Sequence, residues 1–143
     1  MLINIKLIEE GKLPKKSRLN DAGYDCFCRE WKYDTKTDAT YIKLGFAIEI
    51  PEGYVGLIFP RSSQVETDNY APNSIGVIDP NYRGEVMYVI KNRNYLHMPE
   101  KPQLGEKVCQ FLIIKNEDIE FLEVPELSET ERGVQGFGSS GKF

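Results

Sequence analysis

The sequence predicts an all-β protein, a jelly roll or distorted β-barrel with a flexible Gly-rich C-terminal arm. Short runs rich in Val, Ile, Tyr and Phe recur along the chain, each broken by Gly, Pro, Asn or Asp. Several runs alternate apolar and polar residues, as a half-buried strand does. No stretch carries a long apolar stripe at helical spacing.

In chain order, the predicted strands are 4–8, 24–28, 42–44, 47–50, 54–59, 85–91, 107–114 and 120–124. Alternation supports the fourth, in Phe46-Ala47-Ile48-Glu49-Ile50. Residues Val86-Met87-Tyr88-Val89-Ile90 are apolar throughout and read as buried on both faces. Ser62–Glu66 reads as one helical turn, and 29–40 as an irregular solvated loop. The chain divides into a β domain, 1–127, and an arm, 128–143. The arm, SETERGVQGFGSSGKF, holds four glycines and too little apolar surface to order itself. Taken alone it reads as a frayed terminus, yet it carries an arginine, a phenylalanine and two serines suited to a phosphorylated aromatic ligand.

Composition narrows the function. A chain of 143 residues suits one domain, and 41% hydrophobic with 28% charged residues predicts a folded, soluble protein. No apolar run approaches the ~20 residues of a membrane span, and no signal peptide is legible, so the expected location is the cytoplasm. The net charge of −4 argues against bulk nucleic-acid binding. Cys26, Cys28 and Cys109 fit neither a disulfide framework nor a zinc knuckle and read as small buried residues. His97 is the one histidine, which disfavours His-rich metal sites and most histidine-based nucleophile schemes.

Five segments carry candidate chemistry. In Asp21-Ala22-Gly23-Tyr24-Asp25 a turn feeds a strand; Asp25 could hold magnesium through water, or be a solvated turn residue. In Phe59-Pro60-Arg61-Ser62-Ser63 an arginine and paired hydroxyls offer charge-assisted donors to phosphate. Gly76-Val77-Ile78-Asp79-Pro80-Asn81-Tyr82-Arg83-Gly84-Glu85-Val86 reads as a β-hairpin by turn chemistry; Asp79 alone could merely cap the turn. Gln110, in Gly105-Glu106-Lys107-Val108-Cys109-Gln110-Phe111, is an amide inside an apolar strand that needs a partner or faces a ligand. In the arm, glycines let N–H groups converge on phosphate, and Phe137 could stack on a base.

Together and in order, these segments resemble the five motifs of the trimeric dUTPase family, across Asp21 to Gly141. The resemblance implies a homotrimer in which each site draws on more than one subunit and the arm closes over it. It implies hydrolysis of dUTP to dUMP and pyrophosphate, with Asp79 orienting and deprotonating a water that attacks the α-phosphorus. Tyr82 matches the tyrosine packed under deoxyribose, where a 2′-hydroxyl would collide. Asn73 matches a position that can touch uracil. Arg61, Ser62, Ser63 and Gln110 match the phosphate-contacting segments, and Asp25 the aspartate associated with hydrated Mg2+. Arg132, Ser139 and Ser140 would hold the γ-phosphate while Phe137 covers uracil, and Gly138 counts among the substrate-binding residues.

The chain departs from the family pattern at the polar run Gln64–Asn69, at Cys109, at Gln135 and at Ser140, without removing a proposed catalytic group. Two alternatives stand beside this reading. One is a dCTP deaminase of related fold, which would release ammonia rather than pyrophosphate. The other is a nucleotide-gated interaction protein, with residues 29–40 contacting a regulatory protein partner.

Overall fold

The computed structural model describes residues 1–94 and 96–136. Ten strands form in chain order: β1 (Ile5–Leu7), β2 (Tyr24–Phe27), β3 (Glu30–Asp34), β4 (Ala39–Lys43), β5 (Phe46–Ile48), β6 (Tyr54–Pro60), β7 (Asn69–Tyr70), β8 (Gly76–Ile78), β9 (Met87–Asn92) and β10 (Lys107–Lys115). Among the described residues, a single 3-10 turn, Ser62–Glu66, follows β6. Eight of the strands make two four-stranded antiparallel sheets, ordered β2-β10-β6-β8 and β3-β4-β9-β7, while β1 pairs with β5. Two four-stranded sheets around one core are the jelly-roll solution to closing an all-β chain.

The alternating side chains of both sheets meet in one core. Phe46, Ile42, Leu44, Ile58 and Val86 are fully buried there with Cys26, Cys28 and Cys109. The three cysteines are free thiols, as their sequence context predicts. The rings of Phe46 and Phe111 meet edge to face at 6.0 Å, a geometry aromatic pairs prefer.

Four expectations need correction. Residues 29–40 are ordered: β3 and β4 pair from Glu30↔Lys43 to Asp34↔Ala39. Asp34 holds the turn between them by accepting from the Lys36 N–H and the Thr37 hydroxyl, a polar closure that apolar periodicity does not register. Strand β9 is buried on one face only: Tyr88 and Ile90, like Val86 just before it, are buried, while Met87 is exposed. Residues 120–124 form no strand, because no neighbouring strand of this chain offers them a ladder; Phe121 and Leu122 stand 92% and 85% exposed.

The turn 79–82 closes as expected, with the Tyr82 N–H donating to the Asp79 carbonyl at 3.1 Å. Its flanks do not form a hairpin, however. Strand β8 pairs with β6 and β9 pairs with β4, so the segment arches from one sheet to the other.

The arch is seated where the chain crosses itself at two glycines. The Ile8 N–H donates to the Gly45 carbonyl at 2.9 Å, and a Cβ on Gly11 would fall 1.9 Å from that same oxygen. Gly45 itself adopts φ +77°, a region side chains other than glycine rarely enter. Gly11→Ala should therefore destabilise the fold by about 1–3 kcal/mol, the usual effect of overpacking. Urea unfolding at fixed protein concentration measures it, and an unchanged midpoint would contradict the crossing.

Candidate functional site

Strand β10 lies between β2 and β6, and its register aligns the chemistry. Gln110 sits opposite Asp25 on one side and Phe59 on the other, so Asp25 and Gln110 share a sheet face. The next row, Cys26, Cys109 and Pro60, turns its cysteines into the core. Arg61 follows β6 directly and folds back over the Asp25 face.

Asp25 is the hub. Its Oδ1 accepts from Arg61 Nε at 3.0 Å, and its Oδ2 accepts from Ser17 Oγ at 2.7 Å and pairs with Lys107 Nζ at 2.9 Å. Lys107 Nζ also donates to Ser17 Oγ. Arg61 Nη1 donates to the Lys107 carbonyl at 3.3 Å, which ties the arginine to β10. Burial alone would raise the Asp25 pKa. The hydrogen bonds from Ser17 and Lys107, with the charges of Arg61 and Lys107, outweigh it and hold the carboxyl below its ordinary range.

Lys107 and Ser17 were not foreseen from the sequence. Strict alternation from Gln110 puts Lys107 on the core face with Cys109. A β-bulge between Lys107 and Cys109 resets that alternation and brings Lys107 opposite Phe27, on the face of Asp25. Ser17 approaches through an isolated bridge between Lys15 and Asp25, a pairing no local pattern announces.

Gln110 finds a partner as its position requires, its Nε2 donating to the Pro60 carbonyl at 3.1 Å. Its Oε1 lies so near Gly23 that a Cβ there would come within 2.5 Å, which explains a glycine in that turn. Ser62 and Ser63 open the 3-10 turn after Arg61 and are exposed. Pro60, Arg61 and Ser62 border a shallow groove with Tyr70, Ser74 and Arg93, which places a second guanidinium near this end of β6.

Asp79, Asn81 and Tyr82 are not part of this cluster. Gly56 pairs with Ile78 and Ile58 with Gly76, so β8 runs away from Arg61. Asp79 follows at the level of Val55, six residues back along β6 from Arg61, roughly 20 Å at strand rise. Asn73 lies at the other end of β8, its Nδ2 3.7 Å from where a Gly76 Cβ would sit. Arg132 is exposed and its Nε donates to the Gln135 carbonyl at 2.9 Å. Phe137, Gly138, Ser139 and Ser140 lie outside the described residues.

Among the described residues, no three His, Cys, Asp or Glu side chains converge as a metal cage. Asp25 is the carboxylate at the centre of the cationic cluster. One carboxylate reached through water, with substrate phosphates completing the shell, is a donor set magnesium accepts. Among the described residues, no helix is long and apolar enough to cross a membrane.

The model of the dUTPase family matches residues 9–141. The chain belongs to the dUTPase family. A deoxyuridine 5′-triphosphate nucleotidohydrolase of Corynebacterium diphtheriae is 39% identical over 137 residues, 95% of this chain and 90% of the relative. One of Clostridium tetani is 36% identical over 142 residues, 98% and 97% of the two chains. A Staphylococcus bacteriophage 80alpha dUTPase, solved with dUpNHpp, superimposes with a TM-score of 0.77 at 28% identity, covering 98% of each chain. As a member of the dUTPase family the chain is an enzyme, a dUTP nucleotidohydrolase.

The ion cluster carries a pH signature. Asp25 has a folded pKa below its unfolded value of ~3.9, so its contribution to stability is complete above that value. The contribution is lost as pH falls through the folded pKa. Asp25→Asn should flatten the part of the acid-unfolding curve that lies below about pH 4. Stability curves from pH 7 down to 2 measure it, and parallel curves for variant and wild type would refute the assignment.

Proposed function

We propose that the chain hydrolyses dUTP to dUMP and pyrophosphate in sites shared between subunits of a homotrimer. One observation carries this reading: within one chain, the Asp25–Arg61–Gln110 cluster and the Asp79–Tyr82 arch lie roughly 20 Å apart along β6. That separation is too great for one nucleotide's phosphates and sugar to meet both. A neighbouring copy supplying its arch to this cluster removes the difficulty. The segment 119–124, with Ile119 67%, Phe121 92% and Leu122 85% exposed, provides apolar surface for such association. The family resemblance makes the assembly threefold. The dUpNHpp carried by the phage relative supports a deoxyuridine nucleotide as the ligand.

In this reading, Arg61, Lys107, Ser62, Ser63 and Gln110 present donors to the phosphates from the end of β6 and from β10. The two cations are held by a single carboxylate, so the cluster keeps a net positive charge for an anionic ligand. Asp79 of the adjacent copy orients a water against the α-phosphorus and takes its proton. The new P–O bond forms as the bond to the β-phosphate's bridging oxygen breaks, and pyrophosphate leaves with that electron pair. Asp25 would hold magnesium through water, and the bound metal would supply neutralisation of charge on the phosphate oxygens. Tyr82 packs under deoxyribose and Asn73 contacts uracil. The arm, residues 128–143, closes over the nucleotide with Arg132, Ser139 and Ser140 on the γ-phosphate and Phe137 over the base. A cytoplasmic location agrees with three cysteines that remain free thiols.

Complementation tests chemistry and assembly together. Asp79→Asn and Arg61→Met should each reduce pyrophosphate release from dUTP on the order of 10²–10⁴-fold. Refolding the two inactive variants together in equal amounts should restore about a quarter of wild-type turnover, because that share of shared sites receives both intact groups. No restoration in mixed trimers would reject the shared site. Pyrophosphate released equally from other deoxynucleoside triphosphates would reject the substrate.

A further inference from the structure

We propose that Arg29 and Glu85 are a positioning pair that fixes the ring of Tyr82 and so sets discrimination between deoxyribo- and ribonucleotides. The proposal rests on the reading of Tyr82 as the residue under the sugar. Tyr82 folds back across its own turn: a Cβ on Gly84 would fall 2.4 Å from its hydroxyl oxygen. That hydroxyl donates to the Glu85 carbonyl at 2.9 Å. The ring's place is therefore defined by Gly84 beneath it and Glu85 at its tip.

Glu85 is in turn held from three directions. Its Oε1 accepts from Arg29 Nε at 2.9 Å and from the Gly45 N–H at 3.0 Å. Its Oε2 accepts from Arg29 Nη2 at 3.1 Å. Both side chains are more than four-fifths buried, and a two-pronged arginine–carboxylate pair is the most directional ion pair proteins make. The next residue, Val86, exchanges backbone hydrogen bonds with Leu44 and Phe46. Backbone pairing thus fixes the exit of the arch, while the ion pair fixes its last residue, the one Tyr82 uses.

Arg29 is anchored independently of the arch. Its N–H donates to the Lys43 carbonyl at 2.9 Å, and its side chain covers Gly45, where a Cβ would press against Arg29 at 3.2–3.3 Å. The linkage runs from the β3–β4 sheet through Glu85 to the tyrosine ring. Rejecting a ribose hydroxyl by collision requires a ring that does not yield. Loosening the linkage lets the ring give way, which admits the ribonucleotide while leaving the deoxyribonucleotide's own contacts in place.

The test is the ratio of kcat/KM for dUTP to that for UTP, since a ratio is unaffected by loss of active protein. Arg29→Met, Glu85→Gln, Tyr82→Phe and Tyr82→Ala are compared with wild type, full chain throughout. Arg29→Met should lower the ratio on the order of tenfold, chiefly by raising kcat/KM for UTP. Glu85→Gln keeps an acceptor for Gly45 and should lower it less. Tyr82→Phe removes the bond to Glu85 and should lower the ratio too, and combining it with Arg29→Met should add little, because both release the same ring. A ratio within twofold of wild type in Arg29→Met and Glu85→Gln, with Tyr82→Ala collapsing it, would overturn the positioning pair alone. Independent, multiplying effects of Arg29→Met and Tyr82→Phe would also overturn it. An unchanged ratio in Tyr82→Ala would show instead that the underlying reading of Tyr82 is wrong. Should Arg29→Met not fold, Glu85→Gln and Tyr82→Phe still decide.

Discussion

The pairing of β10 with strands on both of its edges is the constraint on which the rest of the molecule depends. Seven of its residues pair with β6, from Cys109↔Pro60 to Lys115↔Tyr54, and its first half pairs with β2. Backbone hydrogen bonds of this kind admit no half-steps, because a slip of one residue exchanges the two faces. The register therefore decides at once that cysteines enter the core and that Asp25 and Gln110 face outward together. Arg61 reaches Asp25 only because β6 ends where it does against Cys109. A single local irregularity, the bulge before Cys109, then adds Lys107 to the same face. The chemistry of this surface is a by-product of strand register.

Much of this was legible in the sequence because strands and turns write locally. Alternation around Phe46–Ile50, turn chemistry at Asp79–Tyr82 and the short helical turn at Ser62 all correspond to what forms. The five candidate segments could be located because each needs special residues at fixed offsets. Partnership was the illegible part. Nothing local says that β8 joins β6 rather than β9, since turn residues specify the reversal and not the sheets on either side. Lys107 and Ser17 were hidden for the same reason: one depends on a bulge and the other on a distant bridge. Residues 120–124 have strand-like alternation without a strand, because alternation describes a side chain's preference and not the presence of a neighbour.

The division of the candidate residues into two distant groups gives the fold a particular logic. A jelly roll has a stiff frame and cannot bring the two ends of β6 together. In the proposed reading, chemistry that needs both ends borrows one from another copy, which would make activity and association a single property. The arch that carries Asp79 and Tyr82 is correspondingly well braced from within its own chain, by Val86 on the backbone and by Glu85 on Arg29. A loop presented to another subunit gains from such bracing, since ordering it on contact would otherwise oppose association.

The buried cysteines add a property unrelated to nucleotide chemistry. Cys26, Cys28 and Cys109 are 1%, 2% and 0% exposed. Burial, helped by the charge of Glu106, pushes the Cys28 thiol up to about 11, so almost none of it is thiolate at neutral pH. A thiol-directed reagent finds nothing to attack while the sheets stay closed. Each alkylated cysteine therefore marks a molecule whose central strands have parted, and the rate of alkylation counts those openings. The core carries its own clock for how often the β2–β10 seam breathes, readable as the mass that alkylation adds.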